Sequence, residues 1–305
     1  MANPTLLVYR TGAFLVQIAP QPLVRWAVLI IANLAFRFAK QKRTLMERHL
    51  QRVFRYQAAE PVSSRQLRDA VKDAFHSYAR YWVDTSRLPK LSPAELDSDF
   101  TFVGWENLEE ARCLGPGPIV ALPHLGGWEW AGMWLTQVPK LPVSVVVERA
   151  ANDELFRWMM QFRKRLNMHI IPLDADAGAA ASKALADGHI LCLVCDRDIQ
   201  GTGVKVNFFG EETTLPAGAA TLALRSGAAV LPVAVYYQGR RQLGVVRPAL
   251  DATRQGRFRA DVQRMTQDLA TNLEELIAYA PEQWHLMSPN WPSDHEFLAQ
   301  QASPQ

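Results

Sequence analysis

From Phe100 onward the chain alternates short, β-branched apolar runs with stretches whose apolar residues recur every three or four positions, and few architectures satisfy that rhythm. The apolar runs fall at residues 100–103, 118–122, 143–147, 168–172, 190–194, 204–208, 229–237 and 243–246, and each predicts a strand. Helical patterning occupies 128–136, 153–166, 177–187 and 217–225, with Gly188 and Gly227 placed to close the last two. A longer amphipathic stretch, 260–279, stops before Pro281. Strands joined through helices run parallel, because the crossover returns the chain to the same end of the sheet, and the crossovers cover its faces. The expected fold is therefore α/β: a central, mostly parallel sheet flanked by helices on both faces.

Residues 1–95 show no such strands. Leu67, Val71, Phe75, Tyr78 and Trp82 lie three to four apart and predict one face of an amphipathic helix, which Pro89 and Pro93 then punctuate. We expect an N-terminal helical, membrane-associating region over 1–95 and a continuous α/β core over 96–305. The formal net charge of the 305 residues is only +3, yet the first 60 hold nine Lys/Arg against two Glu, so something anionic should face the N-terminus. The longest uncharged apolar run there, 26–36, is far short of the roughly 20 residues a spanning helix needs. Pro20 and Pro22 interrupt any secretory signal. The apolar segment 23–36 leads into Arg37, Lys40, Lys42 and Arg43. A helix lying in the membrane interface over anionic headgroups has this make-up, and so does a core helix with a solvated basic end. An apolar run beside those charges fits lipid better than nucleic acid. The three cysteines, Cys113, Cys192 and Cys195, cannot form a disulfide framework, and no Cys/His cluster has zinc-ligand spacing. We expect a reducing compartment and no metal.

In an open α/β sheet, ligands gather outside the carboxyl ends of the strands. One strand end stands out: the run 119–123 leads into His124-Leu125-Gly126-Gly127-Trp128-Glu129, a histidine and a glycine pair opening a helix. A histidine there, with an ordinary pKa near 6.5, can take a proton from a hydroxyl at neutral pH. It needs a carboxylate to orient it, and the sequence offers two, Glu129 and Asp196, the latter just past the run 190–194. The backbone N–H groups near Gly126 and Gly127 are candidate donors to a developing oxyanion. A nucleophilic cysteine is not expected, because strand alternation would bury Cys192 and nothing nearby marks Cys195 as a low-pKa thiol. The absence of a G-x-G-x-x-G after the first strand argues against a dinucleotide-dependent dehydrogenase.

His124 to Glu129 resembles the H-x-x-x-x-[D/E] signature of glycerolipid and lipid A acyltransferases. Further stretches follow in order: Ser77-Tyr78-Ala79-Arg80-Tyr81-Trp82, Ala121-Leu122-Pro123-His124, Val147-Glu148-Arg149, Asp196-Arg197-Asp198, Phe208-Phe209-Gly210-Glu211 and Trp284-His285-Leu286. Together they cover roughly 77–290 and resemble the lipid A late-acyltransferase superfamily, within it most nearly the actinobacterial phosphatidylinositol mannoside acyltransferases. The resemblance implies transfer of a long acyl chain, palmitoyl by default, from acyl-CoA as co-substrate to the 6-hydroxyl of a mannose on an anionic glycolipid. No further cofactor and no covalent acyl-enzyme are implied, and the protein would sit peripherally on the cytoplasmic face of the bacterial inner membrane. It makes His124 the base and maps the family's acidic partner onto Asp196, one methylene shorter than the glutamate expected there, with Glu129 behind it or in its place. It sets Arg149 in the site wall, Arg163 against CoA and Thr202 as a hydroxyl contact. Read from the residues alone, Arg163 belongs equally to a solvated face with Arg157, Lys164 and Arg165, while Arg197 and Asp198 pair with each other. Phe156, Met159, Met160 and Phe162 read as core packing. The competing functions are acylation of a lipid A precursor and a non-catalytic membrane-surface binding protein.

Overall fold

The computed structural model describes residues 4–57, 62–148 and 153–302, so Arg149 lies outside the described residues. Four long helices come first: α1 (Pro4–Ile18), α2 (Gln21–Phe38), α3 (Lys40–Gln57) and α4 (Ser64–Arg87). Ser63 caps α4 through a reciprocal pairing with Gln66. α2 and α3 meet at 89°. No single helix among the described residues is long and apolar enough to cross a membrane, and the α2–α3 pair reaches the necessary length only across that bend. α3 buries Leu45, Met46, Leu50 and Val53 within the protein.

After the short α5 (Pro93–Ser98), the chain alternates as its pattern predicts: β1 (Phe100–Val103), α6 (Trp105–Cys113), β2 (Ile119–Leu122), α7 (Trp128–Gln137), β3 (Val143–Val147), α8 (Asp153–Arg165), β4 (His169–Pro172), α9 (Ala177–Ala186) and β5 (Ile190–Val194). A hairpin, β6 (Val204–Phe208) and β7 (Glu211–Leu215), precedes α10 (Gly218–Ser226), β8 (Val230–Gln238), β9 (Arg241–Val246), α11 (Phe258–Tyr279) and α12 (Pro292–Ala302). Seven strands form one sheet in the order β1-β9-β8-β2-β5-β3-β4. Every neighbouring pair is parallel except β8–β9. The run 204–208 does not join this sheet; β6 pairs antiparallel with β7 alone.

Alternate residues of the central strands feed opposite cores. Ile119, Ala121, Leu191 and Leu193 pack with α9, α10 and α11, while Val120, Leu122, Val143 and Ile190 pack with α6 and α7. Helices cover both faces of the sheet, and α3 is tied to α12 by a buried ionic cluster. His49 and Arg52 of α3 bind Asp294 at the start of α12, at 3.0 Å each, and Arg48 joins them at 2.7 Å. Both His49 and Asp294 are fully buried.

Candidate active site

β2 and β5 are neighbours, parallel and in register, with Leu122 opposite Val194. His124 and Asp196 each lie two residues beyond that last paired position, so the ladder delivers them side by side. His124 Nδ1 lies 2.7 Å from Asp196 Oδ1, and the His124 backbone N–H donates to Asp196 Oδ2 at 3.0 Å. Trp284 Nε1–H donates to the same Oδ2 at 2.7 Å, and the Asn290 amide holds the Asp196 carbonyl at 3.0 Å. Burial opposes the Asp196 carboxylate, but the His124 ring and amide and the Trp284 indole outweigh it and hold its pKa below the usual range. The aspartate therefore reaches the histidine without the longer side chain, because the strand register supplies the distance.

Glu129 does not join this pair. It sits in the first turn of α7 and receives Arg163 of α8, whose Nε–H lies 2.9 Å from Oε1 and whose Nη2 also reaches that oxygen. Tyr81 O–H donates to the same Oε1 at 3.3 Å. Both charges are nearly enclosed, their side chains 5% and 11% exposed. This corrects the solvated-face reading of Arg163: burial alone would discharge the guanidinium, and Glu129 more than compensates. Asp198 does not pair with Arg197 either. Its carboxylate accepts the backbone N–H groups of Gly201 and Gly203, at 2.9 and 2.8 Å, and so folds the loop that carries Thr202.

At Gly126 the structure departs from expectation. The Gly126 N–H is taken by the Gln283 carbonyl at 2.9 Å and is not free to face an oxyanion. The glycines serve close approach instead. Gly126 has φ +59°, and a Cβ there would lie 1.8 Å from the Val235 carbonyl oxygen. A different group in the site lacks a partner. His285 N–H donates to the His124 carbonyl at 2.7 Å and its Nε2 faces Ser77 Oγ at 2.9 Å, but its buried Nδ1 has no hydrogen-bond partner among the described residues. Burial, with the His124 charge behind it, lowers the His285 pKa to about 3, so this second imidazole stays neutral at pH 7. The sequence stretches 77–82 and 284–286 flagged this region without giving His285 a role.

His124 opens onto a cavity of about 750 Å³, within the range of small-molecule sites. Its polar mouth includes His124, His285, Arg163, Arg197 and Thr202. One arm runs under α7, where Trp128, Gly132, Leu135, Val120, Leu122, Val145 and Phe102 make an apolar lining. Phe156 belongs to a buried core cluster, against which Met160 and Phe162 pack, as the core reading expects; Phe156 and Met159 also line the cavity. Cys192 lines the cavity with its pKa pushed up by burial to about 12, and buried Cys195 is raised as well, so both remain thiols. No group of His, Cys, Asp or Glu among the described residues is arranged to hold a metal ion.

A histidine–carboxylate pair whose histidine lines a largely apolar cavity is a candidate acyl-transfer site. The chain belongs to the bacterial lipid A biosynthesis acyltransferase family, whose sequence profile matches residues 5–293, and is an acyltransferase acting in lipid biosynthesis. Among its relatives is the phosphatidylinositol mannoside acyltransferase of Mycobacterium tuberculosis strain H37Rv, 36% identical over 226 residues, 72% of this chain and 70% of the relative. The protein of the same name in Mycolicibacterium smegmatis is 35% identical over 229 residues, covering 74% and 73%.

Proposed function

We propose that this protein moves a long acyl chain, palmitoyl by default, from acyl-CoA to the 6-hydroxyl of a mannose on a phosphatidylinositol mannoside. The observation that carries the proposal is the His124–Asp196 pair set at the mouth of the apolar cavity, and the relatives' activity supports the choice of acceptor. Asp196 accepts the Nδ1 proton, which leaves Nε2 of His124 free to take the proton of the acceptor hydroxyl as its oxygen attacks the thioester carbonyl. The forming imidazolium is stabilised by the buried carboxylate. Neutral His285, with Nε2 accepting from Ser77 and its backbone N–H on the His124 carbonyl, holds the base in place without competing for the proton. Collapse of the tetrahedral intermediate expels the CoA thiolate, which takes the proton from His124, so no covalent enzyme intermediate is needed. The hydrocarbon tail occupies the arm under α7, where each CH₂ removed from water contributes about 0.8 kcal/mol.

Arg163 holds Glu129 and α8 against the cavity, Arg197 and Thr202 line the approach for the phosphates of donor and acceptor, and the family resemblance gives Arg149 a part in the same site. Residues 1–95 form a membrane-associating region and 96–305 the catalytic core, with the protein held peripherally at the cytoplasmic face of the inner membrane. The exposed apolar side chains Leu23, Trp26, Leu29, Ile31, Leu34 and Phe38 of α2 support that attachment. The test is thiol release from palmitoyl-CoA with a phosphatidylinositol mannoside, with a lipid A precursor, and with no acceptor. Release stimulated at least tenfold by the mannoside alone, with the acyl group recovered on mannose, is the expected result. Stimulation by the lipid A precursor alone would reassign the acceptor, and no release under any condition would leave only the surface-binding reading.

A further inference from the structure

A second cavity, of about 550 Å³, lies far from His124 in sequence and is built wholly from α2, α3 and α4. Arg37 from the last turn of α2, Arg43 from the start of α3, and Arg65, Arg68 and Lys72 from the first half of α4 converge on it, with Asp69 as its one carboxylate. The α4 residues share a face because they recur at three- and four-residue steps. Arg65 is turned toward Asp69 at 3.9 Å, and Arg43 toward Glu47, outside the lining, at 3.8 Å. Arg37, Arg68 and Lys72 have no ion-pair partner among the described residues. α2 and α3, which meet at 89°, both line the hollow, and the exposed apolar residues of α2 end at Phe38, 71% exposed and next in sequence to the lining residue Arg37.

Cationic side chains concentrated in a hollow, rather than spread along a helix, fit a compact anion with several acceptor oxygens, such as a phosphate, and an apolar helix face ending nearby fits acyl chains beside that anion. We infer that this elbow pocket binds the phosphate of an anionic phospholipid while α2 lies among the lipid tails, fixing the orientation in which the protein meets the membrane. The inference rests on the membrane attachment proposed above for the N-terminal helices but not on the acyl-transfer reading, since its test contains no acyl donor. Each basic residue near an anionic surface contributes roughly fivefold to partitioning, so two contribute about 25-fold.

The experiment is sedimentation of the full chain with phosphatidylcholine vesicles, with and without 30 mol% phosphatidylinositol, at about 150 mM salt, where diffuse surface fields are screened within roughly 8 Å. Wild type should bind the phosphatidylinositol vesicles at least tenfold more tightly than the neutral ones. Arg68→Gln/Lys72→Gln should lose about 25-fold or fall to the neutral-vesicle level, with circular dichroism and melting unchanged. Lys40→Gln/Lys42→Gln removes the same charge outside the pocket and should lose less than fivefold. Equal losses in the two double variants would overturn the pocket in favour of a diffuse basic surface. Should the first double variant fold poorly, Arg68→Glu alone serves, with the same expected loss of phosphatidylinositol preference. Titration with inositol 1-phosphate and no vesicles separates the sources: saturable micromolar binding that vesicles do not improve would assign the pocket to a soluble anion and overturn the lipid.

Discussion

His285 makes a prediction that a purely structural histidine at the surface would not. Its pKa is lowered to about 3 by burial and by the charge of His124, against 6.5 in the unfolded chain. Between those values the unfolded state binds a proton that the folded state excludes, so stability falls as the pH drops from about 6.5 toward 3 and is regained as the pH rises. Integrating between pH 7 and pH 5, the linkage removes about 2 kcal/mol, most of it below pH 6, with a limiting slope of about 1.4 kcal/mol per pH unit. Other groups titrate in the same range, so the measurement is a difference. Urea unfolding of wild type and His285→Gln is followed at half-unit steps from pH 7.5 to 4.5, and the variant's loss is subtracted. The variant should be less stable at pH 7, because it disturbs the Ser77 contact, yet lose about 2 kcal/mol less than wild type between pH 7 and 5. Parallel curves would mean that burial does not keep the His285 imidazole neutral, and its role as an uncharged neighbour of the base would go with it.

The two carboxylates should separate cleanly. Asp196→Asn should lower kcat by at least a hundredfold with a modest change in melting temperature, whereas Glu129→Gln, by stranding buried Arg163, should cost about 3–5 kcal/mol of stability. Thermal melts and steady-state kinetics on the same preparations decide between this and the reverse assignment. Trp284→Phe removes a charge-assisted hydrogen bond from Asp196, worth about 1.5–3 kcal/mol. It should lower kcat with KM nearly unchanged and move the acid limb of the pH–rate profile, while an unmoved limb would deny Trp284 any influence on the dyad. Gly132 and Met168 both line the cavity, and a Cβ at Gly132 would lie 2.5 Å from Met168 Cε, so Gly132→Val displaces the Met168 tip and narrows the apolar lining. If two or three CH₂ groups of the bound chain are excluded, about 2 kcal/mol is lost, a roughly thirtyfold shift in kcat/KM from C16 toward C12 donors. An unchanged chain-length profile would place the tail elsewhere.

The strands of the parallel sheet were legible because each is a short β-branched run bounded by turn residues, and every such run from 100–103 to 243–246 is a strand. β7 was not. Its sequence Glu-Glu-Thr-Thr-Leu buries only Thr213 and Leu215, and the turn before it is made by Phe209 and Gly210, at φ 52° and 76°, without the Asn-Gly or Asp-Gly signal such a turn usually carries. His124 was visible because a histidine followed by a glycine pair at a strand end has few structural uses. Its partner was ambiguous for a physical reason: Glu129 is near in sequence, but the turn through Gly126 and Gly127 sends it into α7, whereas Asp196 arrives from 72 residues away through strand register. Order within a sheet is set by long-range pairing that local pattern does not encode, and the Glu129–Arg163 pair is hidden for the same reason. The free Nδ1 of His285 depends on which neighbours use Nε2 and the backbone, which only the folded chain shows.

The central claim is that His124 is the base for acyl transfer, and single-turnover transfer from palmitoyl-CoA to a phosphatidylinositol mannoside tests it most directly. His124→Ala, checked by circular dichroism and melting for an intact fold, should slow formation of acylated mannoside at least a thousandfold while palmitoyl-CoA binding changes less than threefold, as expected for a group that acts only as the hydroxyl loses its proton. Transfer within tenfold of wild type by a folded His124→Ala protein would contradict the account.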